Sequence, residues 1–244
     1  MSKDSSSTQV PSSQKSYKFR IPGRKLTKFL VFAIIGLAIG NLLGQFATYY
    51  LNSERESLIK LFDLDAENNL PTWYSSLTLL ICSALLGIVA FVKKRDRDRY
   101  TRHWMGLSLI FFLLSIDEAA SIHELSMDTL RSGLNASGFL YFTWIVPAAI
   151  FVVLLLVIYS PFIKALPKKT KFAFLWAGAI YLLGTLGLEA IGGWYVYNYG
   201  KGTIPYMVLF TLEESLEMVG IVIFIRALLA YISCYLPPIE VSFK

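Results

Sequence analysis

The sequence predicts an all-α fold, a polytopic membrane bundle of six transmembrane helices, on three observations. Of the 244 residues, 55% are hydrophobic and the mean hydropathy is +0.53, the balance of a membrane-embedded chain rather than a water-soluble one. The apolar residues fall into six runs, each near or above the ~20 residues that a helix needs to cross a bilayer. Lys and Arg gather in alternate loops between these runs, the asymmetry that orients a multi-pass chain.

Residues 1–26 are rich in Ser, with Gln, Lys and Pro, and lack an apolar period, so they read as a disordered cytoplasmic tail. The membrane domain is expected over 27–236, with spans at 27–50, 72–92, 104–129, 139–162, 172–195 and 205–232. Residues 237–244 form a short second tail. The first span is too long for a signal-peptide core, and no small-residue cleavage site follows it, so it is expected to stay as an anchor. Within it Gly36, Gly40 and Gly44 recur every fourth residue, a smooth stripe suited to close packing against another helix. Asn41 and Gln45 lie beside the stripe and read as hydrogen-bonding partners of a neighbouring helix. Trp73, Trp104, Trp194, Tyr49 and Tyr50 fall near predicted helix ends and suit an interfacial belt.

Arg20, Arg24, Lys25 and Lys28 precede the first span. Lys93 to Arg102 form a basic run after the second, and Lys164, Lys168, Lys169 and Lys171 follow the fourth. This pattern predicts an inner-membrane protein with both termini cytoplasmic. It also accounts for the net charge of +6 without nucleic acid. The two cysteines, Cys82 and Cys234, lie in apolar runs and read as small hydrophobes rather than as a disulfide framework.

Carboxylates interrupt three of the spans. Asp117, Glu118 and Glu124, with His123, lie in the third; Glu189 lies in the fifth; Glu213, Glu214 and Glu217 lie in the sixth. A charged side chain at the bilayer centre costs about 2.5 kcal/mol or more, so such residues face a bundle interior and mark a site. On a continuous third helix Asp117, Ser121, Glu124 and Asp128 share an arc of about 60°. Glu213, Glu214 and Glu217 share one of about 100° on the sixth. Glu189 precedes Gly192 and Gly193, which permit close backbone approach. The only base evident within the spans is Arg226, on the far face from Glu217, so the acids are expected to share protons or a cation.

Carboxylates with one imidazole suit a divalent cation, Mn²⁺, Fe²⁺, Mg²⁺ or Ca²⁺, and the scarcity of His and Cys argues against structural zinc or copper. The Glu-x-x-His pattern of di-iron bundles is absent, since Ala120 stands three before His123. The paired-histidine zinc pattern also fails, with Met127 where a second His is required. Ser115-Ile116-Asp117-Glu118-Ala119 and Thr211-Leu212-Glu213-Glu214-Ser215 match in chemical type. They lie on helices that cross in opposite directions, as a 3+3 inverted repeat requires.

The segments Ile116 to Glu124 and Leu212 to Met218 resemble those of uncharacterised multi-pass bacterial membrane proteins that carry a DE-to-HE and a later EE-to-E motif. The resemblance implies a site without naming its chemistry. The residues themselves point first to a transporter that binds a divalent cation or protons, with the lipid bilayer and a small cation as partners. The alternative is a metal-dependent membrane-embedded enzyme acting on a lipid or quinone-like substrate, and the third reading is an assembly subunit of a membrane complex.

Overall fold

A computed structural model describes residues 17–18, 22–51, 56–125, 127–134, 136–237 and 240–241. The remainder of the expected tails lies outside the described residues. Six of the helices are long and apolar enough to cross a membrane, the build of a multi-pass membrane protein.

The chain begins with α1 (Gly23–Leu51) and a short α2 (Glu56–Phe62), followed by α3 (Leu70–Arg95) and α4 (Thr101–Ala120). Two short helices come next, α5 (Ile122–Leu125) and α6 (Met127–Leu134), before α7 (Ile145–Ala165). The fifth span is compound: α8 (Lys168–Leu182) passes through a π-helical segment, Leu183–Leu188, into α9 (Glu189–Tyr199). The last span is α10 (Ile204–Tyr235). Tyr17–Lys18 pairs antiparallel with Glu240–Val241, which brings the two ends of the chain to one side, as an even number of crossings requires.

The helix starts follow familiar chemistry. The Asn69 side chain accepts from the Thr72 N–H at the head of α3, and the Thr203 side chain accepts from the Tyr206 N–H at the head of α10. Each helix has a proline in its first turn, Pro71 and Pro205, where a missing N–H is no loss.

The central helix is α10, packed by α8, α1 and α3. At Gly220 an added Cβ would stand 2.8 Å from the Tyr181 backbone nitrogen and 3.0 Å from the Ala177 carbonyl oxygen. That glycine lets α8 lie against α10. The α3–α4 pair is held by reciprocal serine bonds. Ser76 donates to the Ser115 carbonyl and Ser115 to that of Ser76, both at 2.8 Å. One heptad away Ser83 donates to the Ser108 carbonyl at 2.7 Å and Ser108 returns the bond at 2.8 Å. Fixing this face of α4 to α3 leaves the flanking face, Leu107, Phe111, Leu114 and Glu118, about 90° round the helix, lining the bundle interior.

Several expectations need correction. The third span does not run to 129, because α4 stops at Ala120 and Ser121 is left-handed (φ 50°). Glu124 is therefore not on the α4 face. The glycine stripe meets another helix, the short α2, at Gly40 (facing Phe62) and Gly44 (facing Ile59), but Gly36 has nothing within 4 Å. Trp104 is not an interfacial anchor; it is fully buried, with its ring 4.9 Å from Phe162 and 5.0 Å from Tyr231. Cys82 is buried, but Cys234 is exposed. Asn41 does bond a neighbouring helix, donating to Thr211 on α10 at 2.9 Å while its carbonyl oxygen accepts from the Leu64 N–H. Gln45 instead donates to Asp63 in the α2–α3 loop.

Candidate functional site

The end of α4 is shaped by a carboxylate competing for backbone donors. The Ser121 N–H still reaches the Asp117 carbonyl. Two residues on, the His123 N–H donates 2.9 Å to Asp117 Oδ1, and the His123 Nδ1 lies 3.1 Å from Oδ2. One side chain thus replaces the helical acceptors and orients the imidazole. The ring of His123 also lies against that of Trp144, with centroids 5.0 Å apart. Burial opposes the charged imidazole, but the hydrogen bond and charge of Asp117, reinforced by Glu67 and Glu118, outweigh it and raise the His123 pKa to about 9.

The π-helical segment positions Glu189. An extra residue in one turn is a feature that recurs at functional sites. Here it ends at Glu189, whose Oε1 accepts from the Trp144 indole N–H at 2.9 Å. Within the segment Gly184 meets α10 so closely that an added Cβ would stand 2.8 Å from both the Glu213 carbonyl oxygen and the Glu217 Cγ. The acid-bearing turns of α10, with Glu213 only 8% exposed, are thereby set beside Glu189.

A third contribution comes from the α2–α3 loop. The Asn69 amide donates to the carbonyls of Lys60, Asp63 and Ala66 at 3.1, 2.6 and 2.8 Å, winding the loop tightly around itself. Asn68 takes φ 60° within it, a conformation that asparagine tolerates. The wound loop brings Glu67 to the end of α4. One ligand atom from each of Glu67, His123 and Glu124 lies within 4.8 Å of the others. Burial and the charge of Glu124 push the Glu67 carboxyl above its ordinary range, against the lowering effect of His123 and nearby hydroxyls. Asp65, in the same loop, accepts from the Tyr206 hydroxyl at 2.6 Å and lies 3.3 Å from the Lys201 Nζ.

These elements surround one cavity of about 560 Å³, within the size range of small-molecule sites. Its two ends differ. Asp117, Glu118, His123, Glu124, Glu189, Glu213, Glu214 and Glu217 all line it, together with Asp65, Glu67 and Lys201. Away from them the wall is apolar, with Phe111 and Leu114 from α4, Val152 and Leu155 from α7, and Phe174 and Phe224 from α8 and α10. The far end is floored by rings: Phe111 stacks on Phe224 at 4.9 Å, Phe174 lies 4.6 Å from Phe224, and His103 stacks on Phe162 at 5.5 Å. That floor lies toward the basic turns.

Helices α4 and α7 both line the cavity, and among the described residues α7 makes little close backbone contact with α4 or with any other spanning helix. At the basic end the Tyr159 hydroxyl donates to the His103 carbonyl and the Tyr100 hydroxyl to the Pro161 carbonyl, both at 3.3 Å. At the acidic end the Thr143 hydroxyl donates to the Met127 carbonyl at 2.9 Å, next to the His123–Trp144 ring contact.

Sequence reasoning missed Glu67 and Asp65, which stand in a polar loop with other acids and carry no signal of their own. It also found no base at the level of the acids, whereas Lys201 lines the cavity, tied to Asp65. The Asn69–Pro71 capping pattern was the one local hint that the loop is ordered. Arg226 is exposed, away from the cavity. Of the predicted arc, the Asp128 side chain lies outside the described residues.

Fold and cavity define a class: a multi-pass helical protein with an internal cavity that is acidic at one end and apolar at the other. A model of the family described as "Domain of unknown function (DUF8692)" matches residues 29–232, and the chain belongs to that family. No curated protein and no solved structure matches it.

Proposed function

We propose that the protein is a membrane-embedded enzyme that takes its substrate from the bilayer and acts on it with a divalent cation held by Glu67, His123 and Glu124. The observation that carries this reading is the cavity's division into an acidic end and an apolar, ring-floored end. An ion crossing the apolar half would meet no carboxylate among the lining residues, and an unpaired charge in such surroundings costs tens of kcal/mol by order of magnitude. A substrate with its own hydrocarbon part would find that half favourable.

The donor set of two carboxylates and an imidazole suits Mn²⁺, Fe²⁺, Mg²⁺ or Ca²⁺. Asp117 on the His123 Nδ1 is the support that metal-bound histidines commonly take from a carboxylate. A cation there would polarise a substrate oxygen or activate water. Glu118, Glu214 and Glu217, which line the same cavity, would supply the acid–base groups.

Metal analysis tests this. Protein purified in detergent, loaded with each of the four ions in turn and dialysed, is expected to retain one of them stoichiometrically, and Glu67→Gln with His123→Gln to lose it. Wild-type protein that retains none overturns the proposal. Cation or proton transport is the second reading, supported by acids from the antiparallel α4 and α10 lining one cavity. Coupled flux in proteoliposomes that is abolished by Glu118→Gln or Glu217→Gln would favour it.

A further inference from the structure

We infer that the substrate is a single-chain amphiphile of one membrane leaflet, which enters sideways between α4 and α7, lays its hydrocarbon chain in the apolar half and sets an uncharged or cationic, hydrogen-bond-donating head against the carboxylates. This deepens the enzyme reading and rests on it.

The length of the chamber is the first argument. From Leu107 to Asp117 the α4 wall advances about 15 Å at ~1.5 Å per residue, half of the ~30 Å hydrocarbon core. A chain confined to one leaflet matches that depth. Its orientation follows from the floor. The stacked rings of His103 and Phe162, one turn beyond Leu107, close the basic end, with Phe111, Phe174 and Phe224 narrowing the way to it, so the polar end of a long molecule lies among the acids.

The second argument is the way α4 and α7 meet. Bonds from Tyr159 and Tyr100 clasp them at the basic end, whereas at the acidic end Thr143, just before α7, is tied to Met127 of α6 and not to α4, and close backbone packing between α4 and α7 is sparse among the described residues. The cavity-lining residues there, such as Leu114 and Val152, neighbour outward-exposed ones, such as Leu113 and Val153, 54% and 60% exposed. A hydrocarbon chain moving between bilayer and cavity through this gap leaves one apolar medium for another and exposes no backbone group.

The third argument concerns the head. The cations in the wall, Lys201 and His123, each face a carboxylate already, Asp65 at 3.3 Å and Asp117 at 3.1 Å. Even with one divalent cation on Glu67, His123 and Glu124, carboxylates outnumber cations in the wall, so an anionic head would meet a surplus of acids and would be repelled. Hydroxyl or ammonium groups would find acceptors on every side.

The test uses the full chain in phosphatidylcholine nanodiscs with photoactivatable, alkyne-tagged long-chain fatty alcohol, fatty amine and fatty acid as probes, with chelator present. The alcohol and amine are expected to label peptides of α4 and α7 carrying Phe111 and Leu155, and an excess of untagged alcohol to abolish that labelling. The acid is expected to label no more than the lipid-facing background. Val152→Trp, which fills the chamber, should remove the specific labelling, whereas Val153→Trp on the outer face of the same helix should leave it. Labelling of lipid-facing and cavity-facing residues alike, or labelling that resists competition, overturns the inference. Should Val152→Trp fail to fold, the competition on unmodified protein decides. Metal retention is measured on separate, chelator-free samples. Metal kept by protein that shows no specific labelling refutes this inference alone, and specific labelling of protein that retains no metal refutes the cation alone.

Discussion

Asp117 holds His123 at two points, accepting its backbone N–H at 2.9 Å and facing its ring nitrogen at 3.1 Å. This contact both ends α4 and sets the imidazole at the acidic end of the cavity. It has a pH signature. The His123 pKa is raised from 6.5 to about 9 in the folded protein, so the pair stabilises the fold fully below about pH 6.5 and ceases to do so as pH rises through 9. In metal-free protein the Tm is expected to fall across that window, and His123→Gln to flatten the fall. A Tm profile unchanged by the substitution would show that the pair does not couple to folding.

Ser121 carries a left-handed conformation, φ 50° and ψ 40°, that costs a residue with a Cβ roughly 1–2 kcal/mol. Ser121→Gly is expected to hold or raise the Tm and to keep cation retention. Ser121→Val should lower the Tm by several degrees, because a β-branched side chain is least tolerant of this backbone. Equal behaviour of the two variants would mean that the helix continues through Ser121.

Asn69 touches none of the proposed cation ligands, yet it organises the loop that bears Glu67. Its removal takes one hydrogen bond from each of the carbonyls of Lys60, Asp63 and Ala66, at about 0.5–1.5 kcal/mol for each bond lost. Asn69→Ala is expected to lower the Tm and to weaken cation retention, while Asn69→Asp, which keeps only the α3 cap, should not rescue either. Normal retention in Asn69→Ala would place Glu67 outside the cation site.

The glycines of α1 offer a comparison within one helix. Gly40→Ala forces a Cβ to within 2.6 Å of the Phe62 ring, whereas Gly36→Ala meets nothing within 4 Å. The first is expected to destabilise by about 1–3 kcal/mol, the usual cost of overpacking, and the second to be neutral or slightly stabilising. Thermal denaturation in detergent separates them.

The serine pairs joining α3 and α4 should respond in proportion. Ser76→Ala with Ser115→Ala removes both reciprocal bonds of one pair, and interhelical bonds of this kind average about 0.6 kcal/mol in membranes. A small drop in Tm is expected, with a larger loss of amphiphile labelling, since these bonds turn the Phe111 face of α4 to the cavity. Labelling unchanged in the double variant would assign that orientation to other contacts.

The spans and their acids were legible because both are local properties. Bilayer thickness sets the run length that hydropathy detects, and a carboxylate in such a run is conspicuous by its cost. The sixth span keeps its helical periodicity because it runs unbroken from Ile204 to Tyr235. The third span does not, since helical periodicity projects a face only while the helix lasts, and Asp117 captures the donors that would have continued it. The glycine stripe on α1 was visible as a smooth surface, but its partner, the short α2, has too few residues to register as an apolar run.

By itself the sequence determined the number of membrane-capable helices and the all-α class, because each depends only on residues adjacent in the chain. Tertiary structure alone decided that Glu67 joins His123 and Glu124, that Lys201 reaches the acids, and that α4 and α7 stay apart over an apolar chamber. Those outcomes depend on how a wound loop, a π-helical turn and two serine pairs orient segments far apart in sequence. No periodicity encodes such orientations, since they arise from contacts between side chains that the linear order does not bring together.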